Sequence, residues 1–428
     1  VLFRSGYAIS ENSASHKKHN RELALQIADA GINYYRWHLA HAKTDYYDGN
    51  ASTTPGPYIH SYADAQGNII GFFSLEITPP TLGSTIIIIQ STGWLSAQPN
   101  TRVKIKVKVG FPALTDYSFL IATDVWIGDT EVTHGKFHSN GGVRFDGVGD
   151  APITSAMATY TCKSSHNCTN QTKPGVWGAG GPAGYWSYPV PAKDFTAVTA
   201  NLAQIEENAG NGGVKLTSSG QQGWRLSFTS SSQFIAYKVL TTNCFQAKDI
   251  GSSAWFWPCI DAATYDGGTA YNIPTNGFIF VDDNVWVDGT VKGRATVGTS
   301  VGKSIIINGN ILYSAKDGTD VLGLIAEQNI LIPKNSPNNL EVDAALLAQN
   351  GAAKRYYFGN GTTKNSLLIY GSVITNKSWT WSWVDNSNHV ISGYINTNAT
   401  YDANLTYGPP PGFPVGSEYN LLSWEVIK

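Results

Sequence analysis

At 428 residues the chain is long enough for one elongated domain or for two to three compact ones. Only 14% of the residues are charged, 12% are aromatic and 44 are glycine, which excludes a disordered chain and favours a β-rich extracellular protein surfaced with Asn, Ser, Thr and Gly. The formal net charge of -2, with no dense Lys/Arg block, leaves no basis for a nucleic-acid surface.

The first five residues, VLFRS, match the in-frame translation of a common sequencing adapter, so the native sequence is expected to extend further upstream. From SASHKKHNRE onward the spacing predicts a helix. Leu23, Ile27, Ala30, Tyr34 and Trp37 fall at steps of three and four on one stripe, and Leu25, Ala28, Ile32, Tyr35 and Leu39 form a second beside it. A helix lying on one sheet needs a single stripe, so the second implies a further covering partner. The helix is expected to end in the turn formers of KTDYYDGN, with STTPGP as linker. No run approaches the roughly 18 apolar residues needed to cross a bilayer. The longest, IIII at 86–89, is strand-sized, and no secretion signal is recognisable.

Residues 58–109 carry antiparallel strand signals. YADAQGNIIGFFSLEI reads as a hairpin around Gly67 and Asn68, with Phe72 or Phe73, Leu75 and Ile77 inward. In TRVKIKVKVG, Val103, Ile105, Val107 and Val109 alternate with Lys104, Lys106 and Lys108, the pattern of a half-buried strand whose lysines guard against edge pairing. Beyond Ala122, the segments VTHGKF, WVDGTV, IINGNI, LIYGSV and VISGYI repeat a form centred on Gly135, Gly289, Gly309, Gly371 and Gly393. Gly289 and Gly309 stand 20 apart, and Gly371 and Gly393 stand 22 apart, the period of one coil in a parallel β-helix. The repeat lapses between Gly147 and Asn276, where KDFTAVTANLAQIEENAG predicts a helix with Phe195, Val198, Leu202, Ile205 and Ala209 on one face and Asp194 as N-cap.

The four cysteines lie in two local pairs, Cys162 with Cys168 and Cys244 with Cys259. Three pairings are possible and the sequence does not choose among them. Two local disulfides fit an extracellular protein, and free or unrelated thiols are the alternative.

The stretch QIADAGINYYRWHLAH (26–41) resembles the end of the N-terminal helix of PilX-like type IV minor pilins, with Asp29 where that family usually carries Glu. HGKFHSNGGVRFDG (134–147) and PPPGFPVGSEYNLLSWEVIK (409–428) are similar to pilin-like bacterial surface proteins that bear a β-helix. This resemblance implies a fold class that is mainly β: an N-terminal pilin-type α-helix, a small antiparallel sheet, then a parallel, right-handed β-helix with an inserted α+β segment. The expected divisions are the C-terminal part of the pilin-like helix at 1–50, an antiparallel pilin-like domain at 51–125, a first rung at 126–147, an insertion at 148–275, and the β-helix with its cap at 276–428. The resemblance further implies a non-enzymatic cell-surface subunit for pilus assembly or adhesion. Its partners would be other pilin subunits, surface glycans or another cell, and the inner membrane through an N-terminal segment not present here. The stripe Leu25, Ala28, Ile32, Tyr35 and Leu39 would then be the filament-packing face.

Chemistry-bearing motifs are sparse, and neither a cofactor nor a metal is expected. His134 and His138 with Asp146 invite a catalytic reading, but His134 precedes a repeat glycine as Asp288, Asn308 and Tyr370 do elsewhere, and a repeated position held by varied residues reads as a corner. Asp282, Asp283 and Asp288 evoke the paired carboxylates of β-helix glycoside hydrolases, but the Gly-His-Gly string of pectin-cleaving enzymes is absent, so turn aspartates are expected. Asp317 and Asp320 are too few for a calcium loop, and His38 with His41 too few for zinc. Trp379, Trp381 and Trp383 alternate in WTWSW and are expected to cap the β-helix or to contact carbohydrate. The alternative functions are thus a secreted carbohydrate-active β-helix enzyme or a sugar-binding module built on that ladder.

Overall fold

The computed structural model describes residues 2–52, 54, 56–195, 201–416 and 418–427, the side chains of 2–10 and 201 excepted. The chain is mainly β and divides into two compact units, 1–112 with 416–428, and 113–415.

The first unit is one helix on one antiparallel sheet. Helix α1 (Leu2–His41) lies against β1 (Tyr58–Ala63), β2 (Ile69–Thr78), β3 (Ile86–Leu95) and β4 (Gln98–Gly110), which pair in that order. Ala24, Ile27, Ala28, Ile32, Tyr35 and Leu39 are buried, a single face at steps of three and four. They pack with Phe73, Leu75, Ile87, Ile89, Ile105, Val107 and Val109. The second expected stripe, joined by Ile27 of the first, therefore meets the sheet, while Trp37 of the first stays exposed. The residues assigned to filament packing are mostly the ones that cover the unit's own sheet: Ala28, Ile32, Tyr35 and Leu39 are fully enclosed and Leu25 is half-buried. The cause is a seam of small residues on both elements, which seats the helix on that side. The helix ends as expected, with the Asp45 carboxylate accepting from the backbone N–H of Tyr47 and Gly49, both at 2.8 Å.

The last strand, Asn420–Ile427, joins this sheet by antiparallel pairing with β4. That corrects two expectations. Residues 416–428 belong with the helix and small sheet rather than with a cap at 276–428. The lysines of β4 also do not guard an edge, because Lys106 reaches Glu425 of the last strand at 3.4 Å and Lys104 reaches Glu76 of β2 at 3.1 Å.

The second unit consists largely of parallel ladders. One runs through Val214–Leu216, Phe278–Val281, Arg294–Thr299, Val321–Ala326, the end of Asn339–Ala348 and the end of Thr362–Thr375. It continues into Phe119–Ile121, Phe137–Ser139, Ile153–Ser155 and Trp186–Ser187. A second ladder takes Gly223–Thr229, Val285–Val291, Ile305–Tyr313, Ile330–Ile332 and Ala353–Arg355. A third takes Asn339–Ala348, Thr362–Thr375, Val390–Tyr401, Glu131–His134 and Val148–Gly149. Between them lies one continuous apolar core running from Phe119 to Ala399.

The glycine repeat has a physical cause here. Gly289 and Gly371 adopt positive φ, and a Cβ on either would stand 2.1 Å from a carbonyl oxygen of the neighbouring strand, Phe228 and Ala344 respectively. The expected boundaries at 125, 147 and 275 are not those of the structure. Residues 113–125 belong to the second unit, and 148–187 contribute further strands to its ladders instead of forming an insertion. What stands outside the parallel pattern is antiparallel: Thr159–Cys162 with Gln171–Pro174, and Gly223–Thr229 with Gln233–Asn243 and the strands that follow. The helix Asn201–Gly210 buries Ile205 and Ala209 as its spacing requires, while Val198 lies outside the described residues.

Candidate binding cavity

The second ladder stops short. Lys354 makes a single parallel bridge to Thr380, after which Ser382–Val384 turns back and pairs antiparallel with Val390–Tyr401. The next strand in space, Val125–Ile127, is the edge of a separate sheet with Val143–Phe145 and Val176–Trp177. Among the described residues no bridge joins Val125–Ile127 to 380–384. A cavity of about 650 Å³ opens there, lined from both sides by Trp126, Glu131, Arg144, His166, Trp379 and Trp383 among others. That volume lies within the roughly 300–1,000 Å³ typical of small-molecule sites.

Two further walls come from distant sequence. Residues 164–167 lie inside the loop closed by Cys162–Cys168, and residues 250–253 inside the loop closed by Cys244–Cys259. Both cysteine pairs are local disulfides, and each braces one wall. The Nδ2 of Asn167 donates to Oδ1 of Asn388 at 3.0 Å, tying the first loop to the hairpin that replaces the missing ladder strand. Reducing both disulfides should therefore speed amide exchange at 164–167 and 250–253 while leaving Val321–Ala326 protected. Opening a 15-residue loop costs on the order of 3 kcal/mol. Exchange mass spectrometry with and without reductant measures this, and equal exchange in all three segments would refute it.

One wall is pinned by Arg144. Its guanidinium lies 4.5 Å from the ring centre of Trp126 and 5.3 Å from that of Trp177. Its Nε donates to Asp146 Oδ2 at 2.7 Å and Nη1 donates to the carbonyl of His166 at 2.7 Å. Trp126 Nε1 donates to the same Asp146 oxygen at 2.9 Å. The arginine charge is thus consumed within the protein.

Three lining groups remain under-used. Glu131 is buried and accepts from the N–H of Gly128 at 3.3 Å, and burial, with Asp129 adding to it, pushes its carboxyl up to about 8. His166 is buried with Nδ1 unpartnered, and burial drives its imidazole down to about 4. Trp379 is buried with Nε1 unpartnered. At neutral pH burial thus keeps both Glu131 and His166 uncharged.

The residues singled out from sequence fall as follows. The tryptophan ladder is not a surface. Trp379 and Trp381 are buried in the core, where Trp379 stacks on Phe119 at 4.9 Å and borders the cavity from within, while Trp383 lines the cavity half-exposed, its Nε1 donating to the carbonyl of Arg355. The alternation in WTWSW is real, but its shared face points inward and the strand bends after Trp381. His138 is buried between Thr154 and Asn140, both at 2.9 Å, while His134 pairs with Asp150 at 2.7 Å, so neither meets Asp146. Asp283 is held by Ser219 and Lys303, and Asp288 by Arg225 and Asn308, on separate contacts. Asp317 caps its own turn through Thr319, and Asp320 accepts from Gly293 and Ala315. His38 pairs with Asp45 and His41 with the carbonyl of Trp37. Among the described residues no group of three potential metal ligands converges. Sequence reasoning missed Glu131, Trp126 and the two loop walls. The one available signal was that both cysteine pairs flank loops carrying a Ser-Ser pair, Ser164-Ser165 and Ser252-Ser253.

No family model and no curated protein matches the chain. Among solved structures it is similar to the crystal structure of the competence-associated pilin ComZ from Thermus thermophilus, at 14% identity over 95% of this chain and 97% of that one, with a TM-score of 0.29. A score that low assigns neither fold nor function.

Proposed function

We propose that the chain is a non-enzymatic, cell-surface subunit of the pilin type, that helix α1 packs among neighbouring subunits, and that the parallel ladders are the faces of a β-helix. The observation that carries this reading is the state of α1. A helix of 40 residues is about 60 Å long, and among its described side chains only those of the C-terminal part are covered by the sheet. The side chains from Glu11 to His19 are all exposed. A polar helical stretch of that length is marginal in water by itself and gains order by packing against others. The resemblance of residues 26–41 to minor pilins supports the same reading, and the two disulfides fit an oxidising, extracytoplasmic location. Among the described residues no helix is long and apolar enough to cross a membrane.

The subunit-facing residues are those that the sheet leaves free: Gln26, Asn33, Trp37 and Ala40, with Trp37 at 61% exposure the largest. Trp37→Glu should change the melting free energy by less than about 0.5 kcal/mol, as exposed substitutions do, yet reduce incorporation into sheared surface filaments. A photo-crosslinking residue at position 37, in the source bacterium, should give adducts with another subunit in that sheared fraction. One at the buried position 35 should not. Absence of the chain from sheared material, or equal crosslinking at both positions, would overturn the reading.

A further inference from the structure

We propose that the last strand, Asn420–Ile427, is the contact through which two copies of this chain pair about a two-fold axis, edge to edge and antiparallel, so that their small sheets join into one. The contact lies wholly within the first unit and uses other residues of α1 than Gln26, Asn33, Trp37 and Ala40, so it stands apart from the filament reading.

The first ground is an open edge. The last strand pairs with β4 on one side, and among the described residues nothing pairs with it on the other. Edge strands that stay single are ordinarily short, bulged along their length or coated with charge. Here the bulge lies near the start, at Leu422, and Ser423–Ile427 runs on in regular register. Its single charge, Glu425, is already engaged by Lys106. Leu421, Trp424 and Val426 pair with Val109, Val107 and Ile105, so they face the side on which α1 lies, yet they are 48%, 45% and 43% exposed. The helix stops short of them: Trp424 Nε1 donates to Asp29 at 3.1 Å, and Leu25, one turn earlier, is half-buried. The result is an apolar trough, walled by α1, floored by the last strand and open at the sheet edge.

The second ground names the occupant. Along the wall, Glu22, Asp29, Arg36 and Lys43 fall at steps of seven, two acids and then two bases, with Lys43 two residues past the helix end. Steps of seven keep helical residues on one flank, with about 20° of drift per step. Asp29 accepts from Asn33 and Trp424, and Arg36 donates to Asn33. Among the described residues none of the four forms an ion pair, although β4 finds its acids at Glu76 and Glu425. A row that reads acid, acid, base, base is its own complement when reversed. A two-fold axis normal to the sheet reverses it, bringing the acids of one copy toward the bases of the other. The same axis runs the two last strands antiparallel, the arrangement in which edge backbones exchange hydrogen bonds. With the axis at Trp424, Ser423 of one copy stands opposite Glu425 of the other on the lysine side, and the exposed apolar residues of both copies gather on the α1 side. A second copy thus satisfies the edge, the trough and the charge row together.

The test uses the full chain, with disulfides intact, in sedimentation velocity from about 1 to 500 μM. The expected result is a monomer–dimer equilibrium. Val426→Lys, which sets a charge in the seam, should weaken it at least about tenfold while the melting of the first unit is kept. Two double variants test the charge row apart from the edge. Glu22→Lys with Asp29→Lys makes the row all basic, and Arg36→Glu with Lys43→Glu makes it all acidic. Each alone should self-associate at least about tenfold more weakly than the parent, and an equimolar mixture should recover the dimer. A chain that stays monomeric throughout overturns the proposal. So does a dimer that Val426→Lys leaves unchanged, a mixture that recovers nothing, or assembly that grows past the dimer with concentration. Trp37→Glu should leave the dimer intact, so failure of this contact and failure of the filament reading are told apart.

Discussion

Gly93→Val should unseat helix α1 from its sheet, costing about 3 kcal/mol or more in the melting of the first unit. A Cβ at Gly93 would lie 2.3 Å from the backbone nitrogen of Ala28 and 2.4 Å from the carbonyl of Ala24, both atoms of the helix backbone. Neither can rotate away, so the helix must lift. The complementary position is Gly31 on the helix, where a Cβ would stand 2.4 Å from Ser91 Oγ and 2.7 Å from the Phe73 ring. Ala24, Ala28 and Gly31 thus run along Ser91 and Gly93 with backbone close to backbone, and the larger Ile27, Ile32, Tyr35 and Leu39 fill the flanks. Lifting the helix by even a side-chain radius withdraws those flanking residues from the core together, which is why one added valine acts on the whole face. Amide exchange across 23–39 should rise sharply and limited proteolysis should cut there first. The second unit, a separate compact body, should melt unchanged. Native-like protection of 23–39 in the variant would refute the seam.

Glu131→Gln should have the opposite sign, raising the stability of the second unit by roughly 3 kcal/mol at neutral pH. Burial, with Asp129 adding to it, pushes the carboxyl to about 8, against an ordinary value of 4.5 in the unfolded chain. Between those two values the folded protein holds a proton that the unfolded chain has released. Stability contributed through this group therefore falls as pH rises from 4.5 to 8, by about 1.4 kcal/mol per pH unit, and is level outside that window. Glutamine keeps the shape and the acceptor for the Gly128 N–H without the ionisation. Below pH 4.5 the variant and the parent should melt together, and above it they should diverge up to pH 8. Thermal melts at three or four pH values measure this. Parallel curves across the window would show that Glu131 is solvated and ionised in the fold.

Local patterns were legible in the sequence where one residue's neighbours decide its fate. The helix, the alternation of Val103 to Val109 and the corner glycines Gly289 and Gly371 all declared themselves, because periodicity and positive φ leave marks within a few residues. Which apolar stripe of α1 meets the sheet was not legible, since both stripes are greasy. The choice is made by Gly93 and Ser91, over fifty residues away on β3. The tryptophans of WTWSW misled for a related reason. Alternation shows that Trp379 and Trp381 share a face, and only the ladder beside them shows that this face is the core. The cavity was invisible altogether, because its walls come from 126–131, 164–167, 250–253 and 378–390, and no spacing rule links them. The cysteines hinted at its loops without saying what those loops enclose.

The pairing of Phe119–Ile121 with Thr362–Thr375, and of β4 with Asn420–Ile427, also governs when the protein can fold. Each joins an early segment to one emerging hundreds of residues later, so both units carry contacts of long sequence separation, the kind that slows folding most. A nascent chain halted before residue 362 has no neighbour to offer Phe119–Ile121 on that side, and β4 keeps a bare edge until the final strand is made. Closure of that edge therefore waits on the synthesis of Asn420–Ile427, and during that wait the unfinished strands are open to mispairing with other copies.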